Sequence, residues 1–585
     1  MAARGSTPDG RRAFGIASVS GVGVVAATLV LIAALRSTMG LSFVDSGYYA
    51  AATLRLAQGA HLFADEMYVQ SLGFLVAVPF AKLWTVLFST TGLVVALRLL
   101  YVALASGAGF VVYRMLRPSF GPWPALAAAA APLLAPAYNL LAVSYNTMAA
   151  LGLALAGVLA FAALRDGSRR CAALAGAAAA FAAISYPPLV LASFTLLTAF
   201  WWLGRGRRLV LPMLTGAAVV VAVFLAWLAT QATVADLRAT ADFVLGNAVV
   251  IGPLSGGGRI PAVAGRMAET LLWTWGLPMW LWFAPSGLIA VASALPTMRT
   301  PERARVRAWL LAALPLTLLL PVIANSFAPT AVERPWTFAG NFLTAFVMFT
   351  TIPLVAGFRD LPESTRRLSA LTLPTALVGA AVVFSLSSAG LYVGSQVVGL
   401  IPLSIAAAAW WAATIEGSLG MRTARAAVVL LLAVQLTVLF GATFDQPAPL
   451  TLRTTIRTGI LAGVRTNPER AETLAALEGL EQRWARPGDR VLFVGYPGGY
   501  LALRVGVPLT NATWLDHGPF DGSAISYFDR IGRWPDLVFV GTKELEAARA
   551  PGATATADPL LFEVLRRYRL AEVSAATGLT LLSRR

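Results

Sequence analysis

The sequence predicts a polytopic α-helical membrane protein with about thirteen transmembrane helices and a small C-terminal α/β domain. Three observations carry this expectation. Of 585 residues, 58% are hydrophobic and only 12% are charged, against about 25% charged in an ordinary soluble domain. Apolar runs of about 17–25 residues recur as far as residue 444, the length needed to cross a hydrocarbon core of about 30 Å. From Asp445 onward the pattern changes to an amphipathic helix and short apolar strands. A soluble protein of this length would still need a polar exterior, so a soluble fold is excluded.

The spans are expected near 16–35, 92–113, 124–140, 142–164, 172–185, 188–203, 209–229, 270–295, 308–324, 338–357, 370–390, 393–415 and 425–444. Arg4, Arg11 and Arg12 ahead of the first apolar run imitate a secretory signal. The run is of membrane-spanning length and lacks a small-x-small cleavage site, so a retained first helix is expected. Arginines cluster in short loops between spans: Arg114 and Arg117; Arg165, Arg169 and Arg170; Arg205, Arg207 and Arg208; Arg299, Arg303, Arg305 and Arg307; Arg366 and Arg367; Arg422 and Arg425. This is the positive-inside pattern, and it places the N-terminus in the cytoplasm and the tail outside. Those two ends need an odd number of crossings, so segment 71–88 is expected to dip into the outer leaflet without crossing. The same alternation gathers 36–70, 138–145, 230–269 and 325–337 on the outer face. The expected division is a membrane domain over 1–445 and an extracytoplasmic domain over 446–585.

In the tail, 468–486 reads as an amphipathic helix, with Pro468 in the first turn and Leu474, Leu477, Leu480 and Trp484 on one face. Arg490–Gly495 and Leu537–Gly541 read as buried strands, followed by a helix near 559–568 and two final strands. The turn Gly495-Tyr-Pro-Gly-Gly499 lacks the spacing and the lysine of a phosphate-binding loop, so it is expected to be a tight turn.

The net charge of +17 is spent on topology. Nucleic acid is not an expected partner, because no aromatic-interleaved basic groove accompanies the arginines. Cys171 is the single cysteine and permits no disulfide within the chain. His61 and His517 are too far apart in sequence to suggest a zinc site. Only two of the 45 basic residues are lysines, Lys82 and Lys543. With the abundance of alanine, this fits a high-GC bacterial genome such as an actinobacterial one.

The chemistry is expected in the first outer loop, Phe43-Val-Asp45-Ser-Gly-Tyr-Tyr49 through Asp65-Glu66. Asp45 stands just beyond the first span, followed by a short helix expected to lie along the interface with its tyrosines at headgroup depth. A partly desolvated carboxylate there could act as a general base. Its alternative role is to cap that helix. Asp65 and Glu66 could equally belong to a solvated turn.

The succession of a first helix, an Asp-bearing outer loop with a short helix, and the apolar segment LGFLVAVPFAKLW resembles the GT-C class of membrane glycosyltransferases. The nearest branch is that of the protein mannosyltransferases and aminoarabinose transferases. ALRLLYVALASGAGFVVYRMLRP and the helix pair broken at Ser185-Tyr-Pro-Pro188 extend the resemblance over about 40–205. Tyr186 stands where many relatives carry lysine, and Asp45-Ser46 where relatives commonly have Asp-Glu.

The resemblance implies an inverting transferase that takes a sugar from a polyprenyl-phosphate donor to a cell-envelope glycan, lipid or protein acceptor outside the membrane. Asp45 would be the base that deprotonates the acceptor hydroxyl. The departing lipid phosphate would need a cation nearby. Arg334 is the first choice for it, then Arg259 or Arg266, or a divalent cation (Mg or Mn) on Asp65 or Glu66; no organic cofactor is implied. Arg334 could instead pair with Glu333. Tyr48, Tyr138, Asn139, Tyr145, Asn146 and Tyr186 could contact sugar hydroxyls, or the tyrosines could belong to an interfacial belt. Rival readings are a transporter or flippase of lipid-linked sugars, a polysaccharide polymerase or ligase, and a non-catalytic scaffold with an extracytoplasmic binding domain. The spans read as nearly free of charge, which favours surface chemistry over translocation.

Overall fold

The computed structural model describes residues 8–43, 45–66, 69–134, 136, 140–203, 205–241, 277–298, 300–303, 351–386, 448–508, 519–550 and 559–585, with isolated positions between 306 and 349 and between 429 and 440. The helices of the membrane part are α1 (Pro8–Arg36), α2 (Asp45–Ala57), α3 (Val78–Phe88), α4 (Leu93–Phe120), α5 (Pro122–Leu134), α6 (Tyr145–Asp166), α7 (Arg169–Ser185), α8 (Val190–Trp202), α9 (Val210–Leu228), α10 (Leu277–Ala294) and α11 (Glu363–Leu386). Four of them, α4, α6, α9 and α11, are long and apolar enough to cross a membrane by themselves. At 1.5 Å per residue, the 28 residues of α4 extend about 42 Å.

The apolar surface shows which helices face lipid. In the most apolar stretch of α6, 94% of residues are buried inside the protein; in α9 the figure is 6%. Leu211, Val219, Val223 and Leu225 on α9 are all more than half exposed, which a soluble monomer would not tolerate as a contiguous patch. The molecule is a multi-pass membrane protein. Where α7 and α9 cross, a Cβ on Gly176 would run into the Met213 backbone, and one on Gly216 into that of Ala173. The two glycines let the backbones touch, as small residues do in membrane helix pairs. α6 starts on a capping box, with the Ser144 hydroxyl accepting the Thr147 amide at 3.2 Å.

The segment after the first loop is a 3-10 stretch, Val69–Ala77, running into α3. α7 and α8 are separated by a 3-10 turn at Pro187–Leu189. Several expected spans, those near 308–324, 338–357, 393–415 and 425–444, fall largely outside the described residues, as does the chain around Asp445.

The C-terminal part contains a two-stranded sheet of β1 (Thr454–Thr455) and β2 (Arg465–Thr466), and a five-stranded sheet. The larger sheet uses β3 (Arg490–Phe493), β4 (Val507–Pro508), β5 (Leu537–Gly541), β6 (Tyr568–Ser574) and β7 (Leu579–Arg584), in the order β4-β3-β5-β7-β6. β4, β3 and β5 are parallel; β7 is antiparallel to both β5 and β6. Helices α12 (Pro468–Trp484), α13 (Pro519–Arg530), α14 (Thr542–Arg549) and α15 (Pro559–Arg567) accompany the strands. Val491, Leu492 and Phe493 of β3 and Val538, Phe539 and Val540 of β5 are wholly buried, as continuous apolar runs in a parallel pair should be. On α12, Leu474, Leu477 and Leu480 are buried, but Trp484 is exposed and donates its indole N–H to Glu572 at 2.7 Å.

Candidate active site

The first loop begins where α1 ends, and its backbone is held by three guanidinium groups and by the backbone of Arg465. Arg98, buried in α4, donates to the carbonyls of Ser37 (3.2 Å), Met39 (3.3 Å) and Gly40 (2.8 Å). Arg36 donates to Met39 O at 2.8 Å, and Arg470 of α12 to Leu41 O at 2.5 Å. The Arg465 backbone bridges the loop, its N–H bonding Thr38 O at 2.6 Å and its carbonyl accepting Gly40 N–H at 2.8 Å. Arg98 is a charge inside one of the spans read as nearly free of charge. It lies within the expected span 92–113 and pairs with no carboxylate among the described residues; it satisfies carbonyls that a loop at the membrane boundary would otherwise leave bare.

The segment before Asp45 is then clamped by the C-terminal domain. The Tyr496 ring stacks on Phe43 at 5.1 Å, and the Gly498 N–H donates to Phe43 O at 2.6 Å. The approach leaves no space for side chains. A Cβ on Gly47 would lie 2.7 Å from Ser42 O and 2.8 Å from Gly498 Cα, and one on Gly498 would collide with the Phe43 backbone. The Gly495–Gly499 segment, expected as a tight turn, is instead a bend that runs into a 3-10 helix, Pro497–Ala502, and this helix is the docking surface. The same domain closes the start of α4: Gly92 N–H bonds Gly459 O at 3.0 Å, and Val94 N–H bonds Ile460 O at 3.1 Å.

Asp45 is the first residue of α2, where a negative side chain is favoured by the helix dipole. Its side chain lies outside the described residues. The rest of α2 corrects the expectation of an interfacial helix. Residues 46–53 are all buried, packed between the C-terminal domain and the membrane helices. Tyr48, 1% exposed, and Tyr49 sit in an aromatic cluster rather than among headgroups. Tyr48 meets Phe74 at 5.8 Å, Tyr49 meets Tyr145 at 6.1 Å, and Tyr145 meets Tyr186 at 5.3 Å. Three of the expected sugar contacts, Tyr48, Tyr145 and Tyr186, are thus brought together behind α2. Asn146 is buried next to Tyr145, and its side-chain N–H₂ has no hydrogen-bond partner among the described residues. The cleft between α2, α4 and residues 142–143 measures about 20 Å³, space for roughly one water. Tyr138, Asn139, Arg259, Arg266 and Arg334 lie outside the described residues.

The far end of the loop is held by its carboxylates. Glu66, fully buried, is ion-paired with Arg55 Nε, and the other end of the Arg55 guanidinium donates to Pro508 O at 2.8 Å. Asp65 accepts the His61 N–H at 2.8 Å and the Tyr527 hydroxyl at 3.4 Å. Burial pushes the Tyr527 phenol up, and the Asp65 charge pushes it further, so it stays a donor at neutral pH. His61 itself is exposed. Glu66 does not fit a divalent cation, which would sit beside the Arg55 guanidinium. Among the described residues no three His, Cys, Asp or Glu side chains converge to hold a metal.

Arg55, Arg98 and Arg470 were not singled out from the sequence. An arginine inside an apolar span is a signal for Arg98. Nothing local marks the carbonyls that it serves, some sixty residues earlier.

No family model matches the chain, and no curated protein matches it. Among solved structures it is similar to the oligosaccharyltransferase of Archaeoglobus fulgidus tethered to an acceptor peptide with an NVT sequon, at 12% identity and TM-score 0.41, over 96% of this chain and 74% of that one. It is similar to ArnT from Cupriavidus metallidurans in the apo state, at 15% identity and TM-score 0.42, over 97% of this chain and 98% of that one. The undecaprenyl phosphate complex of the same ArnT gives 13% identity and TM-score 0.40, with 97% and 98% covered. Such scores are too low to carry fold, activity, donor or acceptor across to this chain.

Proposed function

We propose that the chain is an inverting membrane glycosyltransferase that moves a sugar from a polyprenyl-phosphate donor to a cell-envelope glycan, lipid or protein acceptor. Asp45 takes the proton from the acceptor hydroxyl as its oxygen forms the bond to the anomeric carbon; the bond from that carbon to the lipid phosphate breaks, and the phosphate leaves with the electron pair. The reaction runs on the face that carries the C-terminal domain, which the arginine-rich loops make the outer one. Arg334, Arg259 and Arg266 are the arginines proposed to stabilise the departing phosphate.

One observation supports this reading above the others: in residues 37–43, ahead of Asp45, Arg98 and Arg470 hold carbonyls, and Gly498 and Tyr496 hold Phe43. Rigid support of a single acidic position at the water boundary is what positioning a base requires, and a passive linker between two helices has no use for it. A transfer assay with a labelled polyprenyl-phosphate sugar and a cell-envelope acceptor fraction tests the proposal. Asp45→Asn should fold, bind donor and transfer at least about a hundredfold more slowly; transfer at the wild-type rate by this variant removes Asp45 from the reaction.

A further inference from the structure

β3 and β5 are parallel neighbours, yet the chain leaves β3 toward β4 on one side and returns through α13 to β5 on the other. The loops that follow the two strands therefore diverge, and in such sheets the crevice at the carboxyl ends of the diverging strands is where ligands settle. Here that crevice is a cavity of about 610 Å³, within the ~300–1,000 Å³ of small-molecule sites. Its polar lining includes Tyr496 from the turn after β3, Thr542, Lys543 and Glu546 from the start of α14, and Ser574 and Thr577 from the β6–β7 turn.

The lining selects the class of occupant. The amino end of α14 is already covered: a Cβ on Gly541 would collide with the Glu544 carboxylate, which lies over that end of the helix. A phosphate there would meet a negative charge, and the turn after β3 lacks the phosphate-loop spacing. Beside the Glu544 carboxylate the lining offers one exposed ammonium, Lys543, a second exposed carboxylate, Glu546, and several hydroxyls. Lys543 and Glu546 form no ion pair among the described residues, so both are available to a ligand. Donors and acceptors of both signs around an open crevice suit an uncharged ligand rich in hydroxyl groups.

Its position links this cavity to the first loop. Tyr496 forms part of the cavity wall and stacks on Phe43, two residues before Asp45. A ligand in the crevice is thus one aromatic ring away from the Asp45 segment. We infer that the cavity at the carboxyl edge of β3 and β5 binds a neutral glycan, and, resting on the transferase reading above, that this glycan is the acceptor.

Binding tests the site without needing turnover. The full chain in lipid nanodiscs is titrated with short neutral α-linked manno- and arabino-oligosaccharides, and binding is read by saturation-transfer NMR. At least one series should bind the wild type, and Ser574→Trp, which fills the crevice, should weaken it by about tenfold or more, the loss of two charged or neutral hydrogen bonds. Lys543→Ala and Glu546→Gln, both at exposed positions, should each weaken it severalfold with the unfolding midpoint unchanged; they decide the matter if Ser574→Trp disturbs folding. Failure of every probe to bind the wild type, or binding indifferent to all three substitutions, overturns the assignment. A chain that binds glycan here yet transfers no sugar keeps this site and sinks the transferase reading. Asp45-dependent transfer with no glycan bound here does the reverse.

Discussion

The two ends of the first loop carry acidic residues and are held in opposite ways. At the Asp45 end, the backbone is gripped: carbonyls of residues 37–43 accept from Arg36, Arg98, Arg470 and Gly498. At the Asp65–Glu66 end, the carboxylates do the gripping, on Arg55, the His61 amide and Tyr527. A carboxylate that anchors a loop is not at liberty to take a proton from a substrate. The difference therefore separates one acid whose segment is supported by other groups from two whose charges are the support, though the sequence presents all three within the same outer loop.

The largest expected effect is at the first end. Asp45→Asn should reduce turnover by about 10²–10⁴-fold, the range for loss of a general base, with donor affinity and unfolding temperature unchanged. At the second end the damage should be to stability. Glu66→Ala leaves the Arg55 guanidinium buried without its partner and should destabilise by about 3–5 kcal/mol, measured by thermal unfolding in detergent. The double substitution Arg55→Leu with Glu66→Leu should recover most of that loss. Recovery by Arg55→Leu of an Asp45→Asn defect would erase the distinction between the two ends. Gly498→Val should push the C-terminal domain off Phe43, raise amide exchange in residues 37–45 and lower turnover about tenfold, as a misplaced catalytic segment does. Chelation with EDTA should change turnover less than about twofold, since no step is routed through a metal on Asp65 or Glu66.

The smallest effect concerns pH. Asp236 accepts from Thr233 and pairs with Arg530 of α13 at 3.0 Å. Burial pushes its carboxyl up, but the Thr233 hydrogen bonds and the Arg530 charge outweigh this and hold it below the ordinary value. A depressed carboxyl contributes stability that is present above its unfolded value and is lost as pH falls through the folded one. The contact should therefore persist from neutrality down to about pH 4, near the ordinary aspartate value, and weaken below it by about 0.2–1 kcal/mol. Hydrogen exchange across α13 in wild type and Asp236→Asn would read it.

The parts of the fold legible in the sequence are those whose cause is local. The continuous apolar run Leu537–Gly541 is β5 to the residue, and Leu474, Leu477 and Leu480 lie on the buried face of α12 because their spacing follows the helical period. Trp484 shares that spacing and is exposed, since Glu572 from a distant strand draws its N–H outward. Glu481 shows the same limit from the other side. It is not singled out from the sequence, yet it is wholly buried and accepts the N–H groups of Arg504, Val505 and Gly506. At the candidate site, Asp45, Asp65 and Glu66 were visible as acids in a loop. Their separate duties were not, because Arg98, Arg470 and Tyr527 reach them or their loop from sixty to more than four hundred residues away.

The bridge between Thr38, Gly40 and Arg465 has a consequence for biogenesis. The ribosome makes the loop more than four hundred residues before its backbone partner, so the loop must wait while the helices between them are inserted. A chain cut short before Arg465 would carry every acid of the loop and still lack the strand that shapes it.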